Sequence, residues 1–288
     1  MHKLLITGAT GFIGRFLCSD LPDYEIIKYS RDNDLKIMDE YAVIHLAGLA
    51  HNSHKSELRK VYKVSNVDLT KSVFDSFLNS NSKTFIFLST SKVSGSKNGL
   101  LVEHLVSREL NVYSESKLLA ENYILSQKAT NKKIYILRPA VVVGPELKGN
   151  LKTLVQYVNS RLPWFFNSFN NSITILDLRN LSFIIKQILS EKNEIPPGIY
   201  QIGNYEPIEV RRLIKIMQVK RRMKSNLLSV PKNVIHLIFK VGDALKLPFL
   251  NLKTLDKLVL DSQISTKKIS KYIPNLPFNN DETINEFL

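Results

Sequence analysis

The run Gly8-Ala9-Thr10-Gly11-Phe12-Ile13-Gly14 follows directly on Lys3-Leu4-Leu5-Ile6-Thr7, a short apolar stretch that reads as a buried strand. Three glycines spaced G-x-x-G-x-x-G between a strand and a helix demand a tight turn and a close backbone approach. They also aim a helix N-terminus at whatever is approached. A pyrophosphate fits such a turn, because backbone N–H groups and the helix dipole favour an anion and a Cβ would occupy its place. A plain glycine-rich turn is the competing reading. The position, strand before and helix after, favours dinucleotide binding by Gly8, Thr10, Gly11, Phe12, Ile13 and Gly14.

The pattern beyond the turn supports that frame. Strand candidates at Lys3–Thr7, Glu25–Tyr29, Val43–Leu46, Thr84–Ser89 and Ile134–Arg138 alternate with helical stretches at Gly14–Leu21, Val67–Leu78 and Ser114–Ser126. Short apolar runs suit strands buried on both faces, and alternation with helices implies a parallel sheet with crossovers. The fold class expected is α/β, a Rossmann-type doubly wound parallel sheet with a smaller C-terminal substrate-binding lobe. Residues 1–147 form the dinucleotide-binding part, with 177–192 returning to it; 148–176 and 193–288 form the lobe. The stretch Leu147–Ile175 reads as irregular, Asp177–Leu189 as a helix and Gly198–Ile202 as a short strand.

Bulk properties narrow the function classes. A chain of 288 residues, 44% hydrophobic and 23% charged, can bury a sizeable core. Cys18 is the single cysteine, so no internal disulfide forms and a reducing compartment is the simpler setting. No signal segment is read ahead of the first strand and no apolar run spans a bilayer, so a cytoplasmic location without stable membrane insertion is expected. The net charge of +14 raises the question of nucleic acid. The lysines are diffuse, and only Lys220-Arg221-Arg222 with Lys224 is dense, so a solvated surface is expected ahead of any specific anionic partner. Of two such partners an acidic membrane surface suits this charge better than nucleic acid, which is not expected.

The end of the second strand discriminates between cofactors. An acid there holds ribose hydroxyls and selects NAD, whereas an arginine accommodates the 2′-phosphate of NADP. Tyr29-Ser30-Arg31-Asp32 offers both. A strand ending at Ser30 points Arg31 at the adenosine and favours NADP; a slip of one residue gives the role to Asp32 and NAD.

A second constellation carries chemistry. Tyr113-Ser114-Glu115-Ser116-Lys117 opens an apolar helix, and i,i+4 spacing puts Tyr113 and Lys117 on one face. Tyrosine titrates near pH 10, but a neighbouring ammonium and an oxidised nicotinamide favour the phenolate, making acid/base work on a hydroxyl feasible. Upstream, Thr84–Ser89 runs into Thr90-Ser91-Lys92, and hydroxyls at the C-terminal end of a parallel strand lie where ligands bind. The competing readings are a solvated helix face and local Ser/Thr capping.

The glycine turn, Val43-Ile44-His45-Leu46-Ala47-Gly48, the Ser/Thr strand end, Tyr113-x-x-x-Lys117 and Leu137-Arg138-Pro139 occur in one order. Together they resemble the extended short-chain dehydrogenase/reductases, the NAD-dependent epimerase/dehydratase family. Phe87–Gly95, Gly144–Asn150 and Leu260-Asp261-Ser262 are similar to its nucleotide-sugar branch, nearest to bacterial UDP-N-acetylquinovosamine 4-reductases and UDP-hexose 4-epimerases. The resemblance implies an enzyme that moves hydride at C4 of a UDP-(N-acetyl)hexose, with Tyr113, Lys117 and Thr90 catalytic. It implies that Leu46, Ala47, Gly48, Asn66, Ser89, Tyr113, Lys117 and Pro139 line the cofactor, and that Lys92, His51 and Asn150 face the substrate. A homodimer is compatible with it. The chain departs from the family at Ser94 and Val143, where tyrosines are usual, and at or near Asn171, where an arginine commonly grips the pyrophosphate. The segment from Arg31 to Val43 also leaves little room for the usual helix and strand near the adenine. A dinucleotide sensor or scaffold on the same fold, or a reductase of a non-nucleotide carbonyl, is the rival reading.

Other residues have competing readings. His45 closes a buried strand and reads as structural, while His51 and His54 lie in the loop that follows. Trp164-Phe165-Phe166 could cover a uracil or fill the lobe's own core. No His/Cys/Asp grouping has metal-ligand spacing, so no metal is expected.

Overall fold

A computed structural model describes residues 1–29, 37, 39–50, 58–146, 149–160, 164–223, 228–247, 251–259 and 261–288. The chain forms two compact units, residues 1–140, 178–203 and 264–277, and residues 141–177, 204–263 and 278–288.

The first unit is built on six parallel strands: β1 (His2–Thr7), β2 (Tyr24–Tyr29), β3 (Ala42–His45), β4 (Thr84–Leu88), β5 (Lys133–Pro139) and β6 (Gly198–Ile202). Their order is β6-β5-β4-β3-β1-β2. Helices α1 (Phe12–Asp20), α2 (Leu69–Leu78), α3 (Val112–Ser126) and α4 (Leu178–Leu189) belong to the same unit. Every residue of β3 and β4 is buried, as their unbroken apolar runs require. On one side Leu5, Val43, Phe85, Phe87 and Ile136 pack with Val73, Phe74 and Phe77 of α2 and with Ala120 and Ile124 of α3. Strand order reverses at β1, which has β2 on one side and β3 on the other. The crevice above the C-terminal ends of β1 and β3 is therefore the topological switch point, where ligands bind in open α/β sheets.

At the other flank of β1, β2 is the edge strand among the described residues, and Glu25 and Lys28 are exposed on it. Charged side chains on an edge discourage further pairing.

The division of the chain differs from the sequence-based one. Gly198–Ile202 was placed in the second lobe, but it pairs with β5 in register from Gly198↔Tyr135 to Ile202↔Pro139 and extends the main sheet. Residues 264–277 also join the first unit, and the Ser265 N–H donates to Leu101 O at 2.8 Å. The first segment ends at residue 140 rather than 147, because Val141–Val143 pairs with Ile175–Asp177 in the second unit. A short strand that returns from far along the chain has no local signature of its destination.

The second unit has its own core. Leu151, Leu154 and Val158 of helix Gly149–Asn159 meet Leu213, Ile214 and Met217 of helix Val210–Lys220, with Trp164, Phe166, Ile235 and Phe239. Trp164 and Phe166 are 1% and 4% exposed, with ring centroids 4.8 Å apart, so these two fill the core rather than cover a ligand. Phe165, between them, is 38% exposed. The last helix, Asn280–Phe287, starts with a capping box in which Asn279 and Glu282 each accept the other's backbone N–H.

Candidate active site

The glycine turn is packed as tightly as its spacing implied. The Gly11 N–H donates to Gly8 O at 3.0 Å and closes the turn. Gly8 has φ +72°, and a Cβ there would stand 2.7 Å from the Ala47 nitrogen. A Cβ on Gly14 would fall 2.1 Å from Gly8 O, so the start of α1 could not lie against the turn. The helix begins from Gly11 with no side-chain cap, which leaves its positive end to a ligand rather than to a Ser or Asp of the chain. Thr10 and Gly11 are exposed, Phe12 and Ile13 half-buried and Gly14 buried.

Facing the turn is the segment after β3. Its anchor is a row of buried hydrogen bonds centred on His45. The Thr70 hydroxyl donates to Asn66 O at 2.5 Å, so at 2.9 Å from His45 Nε2 it acts as acceptor. That assigns the proton to Nε2 and leaves Nδ1 to accept from the Thr7 hydroxyl at 2.6 Å. Thr7 Oγ1 in turn accepts the Ala47 N–H at 3.2 Å. His45 is structural, as its sequence context suggested. Burial, with help from the Lys117 charge, pushes its pKa down to about 3.

A neutral buried histidine has a consequence for acid stability. The unfolded chain takes up a proton near pH 6.5 and the folded chain only near pH 3, so the stability present above pH 6.5 is lost as pH falls between them. Unfolding in urea at pH 7 and pH 5 should show a loss of roughly 2 kcal/mol from this group, at about 1.36 kcal/mol per unit. His45→Gln should flatten that part of the pH dependence. Equal slopes for the two proteins would exclude His45 as its source.

Asn66 lies in a single π-helical turn, Lys63–Asp68, immediately before α2. Its fully buried side chain accepts the Leu49 N–H at 2.7 Å and donates to Leu49 O at 3.0 Å and to Ser116 Oγ at 2.9 Å. Ser116 donates onward to Tyr113 O at 2.7 Å. One amide therefore ties the loop after β3 to the first turn of α3. The sequence reading put Asn66 beside the cofactor but did not anticipate this clamp, nor the π-turn that presents it.

Helix α3 starts at Val112, capped by Asn111, whose Oδ1 accepts the Ser114 N–H at 2.9 Å. Tyr113 is half-buried in the first turn, and the Thr90 side chain acts on its hydroxyl to favour the phenolate. Thr90, two residues beyond β4, caps the short 3₁₀ turn Ser91–Val93. Lys117, one turn further along α3, is buried; its Nζ donates to Leu88 O at 2.8 Å and stands 4.6 Å from the Phe87 ring centroid. A Cβ on Gly48, at φ +151°, would come within 3.4 Å of the same Nζ. Tyr113, Thr90, Lys117, Gly48 and Asn66 thus converge at the C-terminal ends of β3 and β4.

The electrostatics qualify one expectation. The expected lowering of the Tyr113 pKa relies on the oxidised nicotinamide as well as on Lys117; from the protein's own groups burial dominates and pushes it up to about 12, with Thr90 acting the other way. Burial also brings Lys117 down to about 8, and Glu121 opposes that shift. With these side chains alone, Tyr113 at neutral pH is a phenol that can give a proton.

Beneath the hydroxyls lies a buried ion pair that sequence reasoning passed over. Arg138 Nη2 meets Glu121 Oε2 at 2.6 Å, and Nε lies 3.1 and 3.2 Å from the two carboxylate oxygens. The Ser89 hydroxyl donates to the same carboxylate. Arg138 Nη1 donates to Ser94 Oγ at 3.1 Å and to Glu103 O at 3.0 Å. Ser94 stands where relatives were expected to carry tyrosine, and here it is an acceptor for Arg138. An acid four residues after Lys117, on the helix face that carries it, was the available signal.

Other candidates lie elsewhere. Pro139 is buried at the end of β5, and Lys92 is exposed beyond Thr90. Arg31, His51 and the side chain of Asn150 lie outside the described residues. Asn150 falls inside the first turn of helix Gly149–Asn159. Asn171 is buried, and its carbonyl accepts the Val210 N–H at 3.0 Å.

Comparison with known proteins agrees with this geometry. The profile of the NAD dependent epimerase/dehydratase family matches residues 4–203. UDP-glucose 4-epimerase of Vibrio cholerae is 28% identical over 215 residues, covering 64% of this chain and 65% of that protein. UDP-2-acetamido-2,6-beta-L-arabino-hexul-4-ose reductase of Pseudomonas aeruginosa is 23% identical over 203 residues, covering 66% of this chain and 50% of that protein. Each match spans less than two thirds of the relative's own length. The structure of UDP-glucuronic acid 4-epimerase from Bacillus cereus with NAD superposes with a TM-score of 0.74 at 18% identity, covering 99% of this chain and 97% of the other.

Proposed function

We propose that this chain, which belongs to the NAD dependent epimerase/dehydratase family, is an NAD(P)-dependent 4-epimerase or 4-ketoreductase of a UDP-hexose or UDP-N-acetylhexose. The observation that carries the reading is the convergence of Tyr113, Thr90 and Lys117 at the strand ends beside a glycine turn that leaves no space for a Cβ. The cradle fits a dinucleotide: Gly8, Gly11 and Gly14 keep the turn open and present the uncapped end of α1. Gly48 and Lys117 would flank the nicotinamide half. The bound dinucleotide would supply the hydride acceptor or donor.

The chain's own residues would handle the proton and the geometry. Tyr113 would give a proton to the C4 oxygen when a keto sugar is reduced and take it back in the reverse direction. Thr90, which already acts on the Tyr113 hydroxyl, would hold the same oxygen in line. Lys117, fixed on Leu88 O, would present positive charge to the ribose and to the phenol. Asn66 would keep the Ala47-Gly48-Leu49 segment at its distance from α3 through its bonds to Leu49 and Ser116.

The uridine half of the substrate is supported by the relatives' names, UDP-glucose 4-epimerase and a UDP-sugar 4-reductase. NADP is favoured over NAD on Arg31, at the end of the second strand in the sequence reading; a charge-assisted contact to a 2′-phosphate is worth roughly 1.5–3 kcal/mol. Calorimetric titration of UDP into the dinucleotide-saturated protein should show much tighter binding than AMP. The same preparation should interconvert C4 epimers of UDP-hexoses, or consume NADPH with a UDP-4-keto sugar. UDP binding no tighter than AMP would rule out a uridine sugar. Tighter binding of NADH than NADPH would reverse the cofactor preference.

A further inference from the structure

Helix Lys232–Ala244 in the second unit has two apolar faces, only one of which is buried. Ile235, Phe239 and Gly242 face inward, and Ile235 and Phe239 belong to that unit's core. Outward stand Val234 (44% exposed), Leu237 (61%), Ile238 (48%), Val241 (49%) and, directly after the helix, Leu245 (65%). At 100° per residue these five fall on one stripe roughly 100° wide, the width of a face that a helix normally buries. Scattered exposed leucines are ordinary, but a contiguous stripe of five marks a contact surface.

The charge around the stripe identifies what it suits. Between residues 228 and 247 the lysines and acids are Lys232, Lys240, Lys246 and Asp243, in a chain of net charge +14. We infer that the outward face of helix Lys232–Ala244 docks on the surface of an anionic lipid bilayer, lying in the interface with its long axis parallel to the membrane plane. Of these charges Lys240 lies beside the stripe, while Lys232 stands over the Phe169 ring on the other side of the helix. An apolar stripe with a flanking lysine on a strongly basic chain gains from both acyl-chain contact and attraction to acidic headgroups. A second copy of the chain suits the patch less well. A twofold contact through it would bring like-charged lysines together, and five side chains fall far short of the roughly 20–30 residues per partner in a standard interface. Docking differs from crossing: among the described residues no helix is long and apolar enough to span a membrane.

The test uses the full chain and vesicle co-sedimentation, with phosphatidylcholine alone and with phosphatidylcholine and phosphatidylglycerol in equal parts. Binding is expected to the mixed vesicles, little to the neutral ones, and to fall steeply with added salt. Leu237→Ser with Val241→Ser should lower the partition about tenfold or more by withdrawing apolar contact. Lys240→Gln should lower it several-fold and shallow the salt dependence. All three positions are exposed, so the thermal midpoint should be unchanged; Lys240→Gln alone carries the test if the double variant misfolds. Absence of binding to the mixed vesicles, equal binding to both kinds, or wild-type binding by the double variant would overturn the inference. So would a sedimentation-detected dimer that the double variant abolishes while vesicle binding is absent.

Discussion

Tyr113→Phe is expected to cut turnover by about a hundredfold or more while leaving dinucleotide affinity nearly unchanged. The phenylalanine keeps the ring, its packing near Tyr62 at 6.0 Å between centroids, and the first turn of α3. What it removes is the hydroxyl on which Thr90 acts, and loss of a positioned general acid/base typically costs about 10²–10⁴-fold. Single-turnover kinetics with reduced cofactor and a keto sugar would isolate that step. Near-wild-type turnover would remove Tyr113 from the mechanism and point to a group that the present assignment omits. The phenol's pKa near 12 makes a directional statement as well. Its folded value lies above neutrality by several units, so the proton-giving direction should not weaken between pH 6 and 9 on account of Tyr113.

Breaking the Glu121–Arg138 pair should have the largest effect on stability. Both side chains are essentially buried, at 1% and 3% exposure, and the arginine also holds Ser94 and Glu103 O. Glu121→Gln leaves a guanidinium buried without its counter-charge, which typically costs about 3–5 kcal/mol. For a chain of this size that corresponds to a fall in the melting midpoint of roughly 10 °C, at about 2–4 °C per kcal/mol. Replacing both partners together, Glu121→Leu with Arg138→Met, should recover much of the loss, because the desolvation of two charges disappears with them. A single substitution costing under about 1 kcal/mol, in the range of exposed pairs, would show that the pair is solvated in solution. The network joins α3, β5 and the end of β4, so the single variant should also loosen the Tyr113–Thr90 contact and lower turnover.

Much of the site was legible because its requirements are local. Three glycines between a strand and a helix specify a turn without side chains, and the 2.1 Å approach at Gly14 shows why. The i,i+4 spacing of Tyr113 and Lys117 needs only a helix, and continuous apolar runs at β3 and β4 need only burial on both faces. The rest depended on which distant segments meet. Nothing around Asn66 announces that its amide will be spent on Leu49 and Ser116, and Glu121 reads as an ordinary helix surface acid until Arg138 arrives from β5. Likewise the sign of the Tyr113 shift turned on burial, which a motif does not contain.

The amino-acid order by itself determined the parallel α/β frame, the tight glycine turn and the helix face that Tyr113 and Lys117 share, since backbone sterics and hydrophobic periodicity act within a few residues. Only the tertiary structure decided that Gly198–Ile202 completes the main sheet, that Trp164 and Phe166 fill a core, and that His45 is a neutral link between Thr7 and Thr70. Each of those outcomes depends on hydrogen bonding and desolvation between residues far apart in the chain, and neither is encoded in spacing.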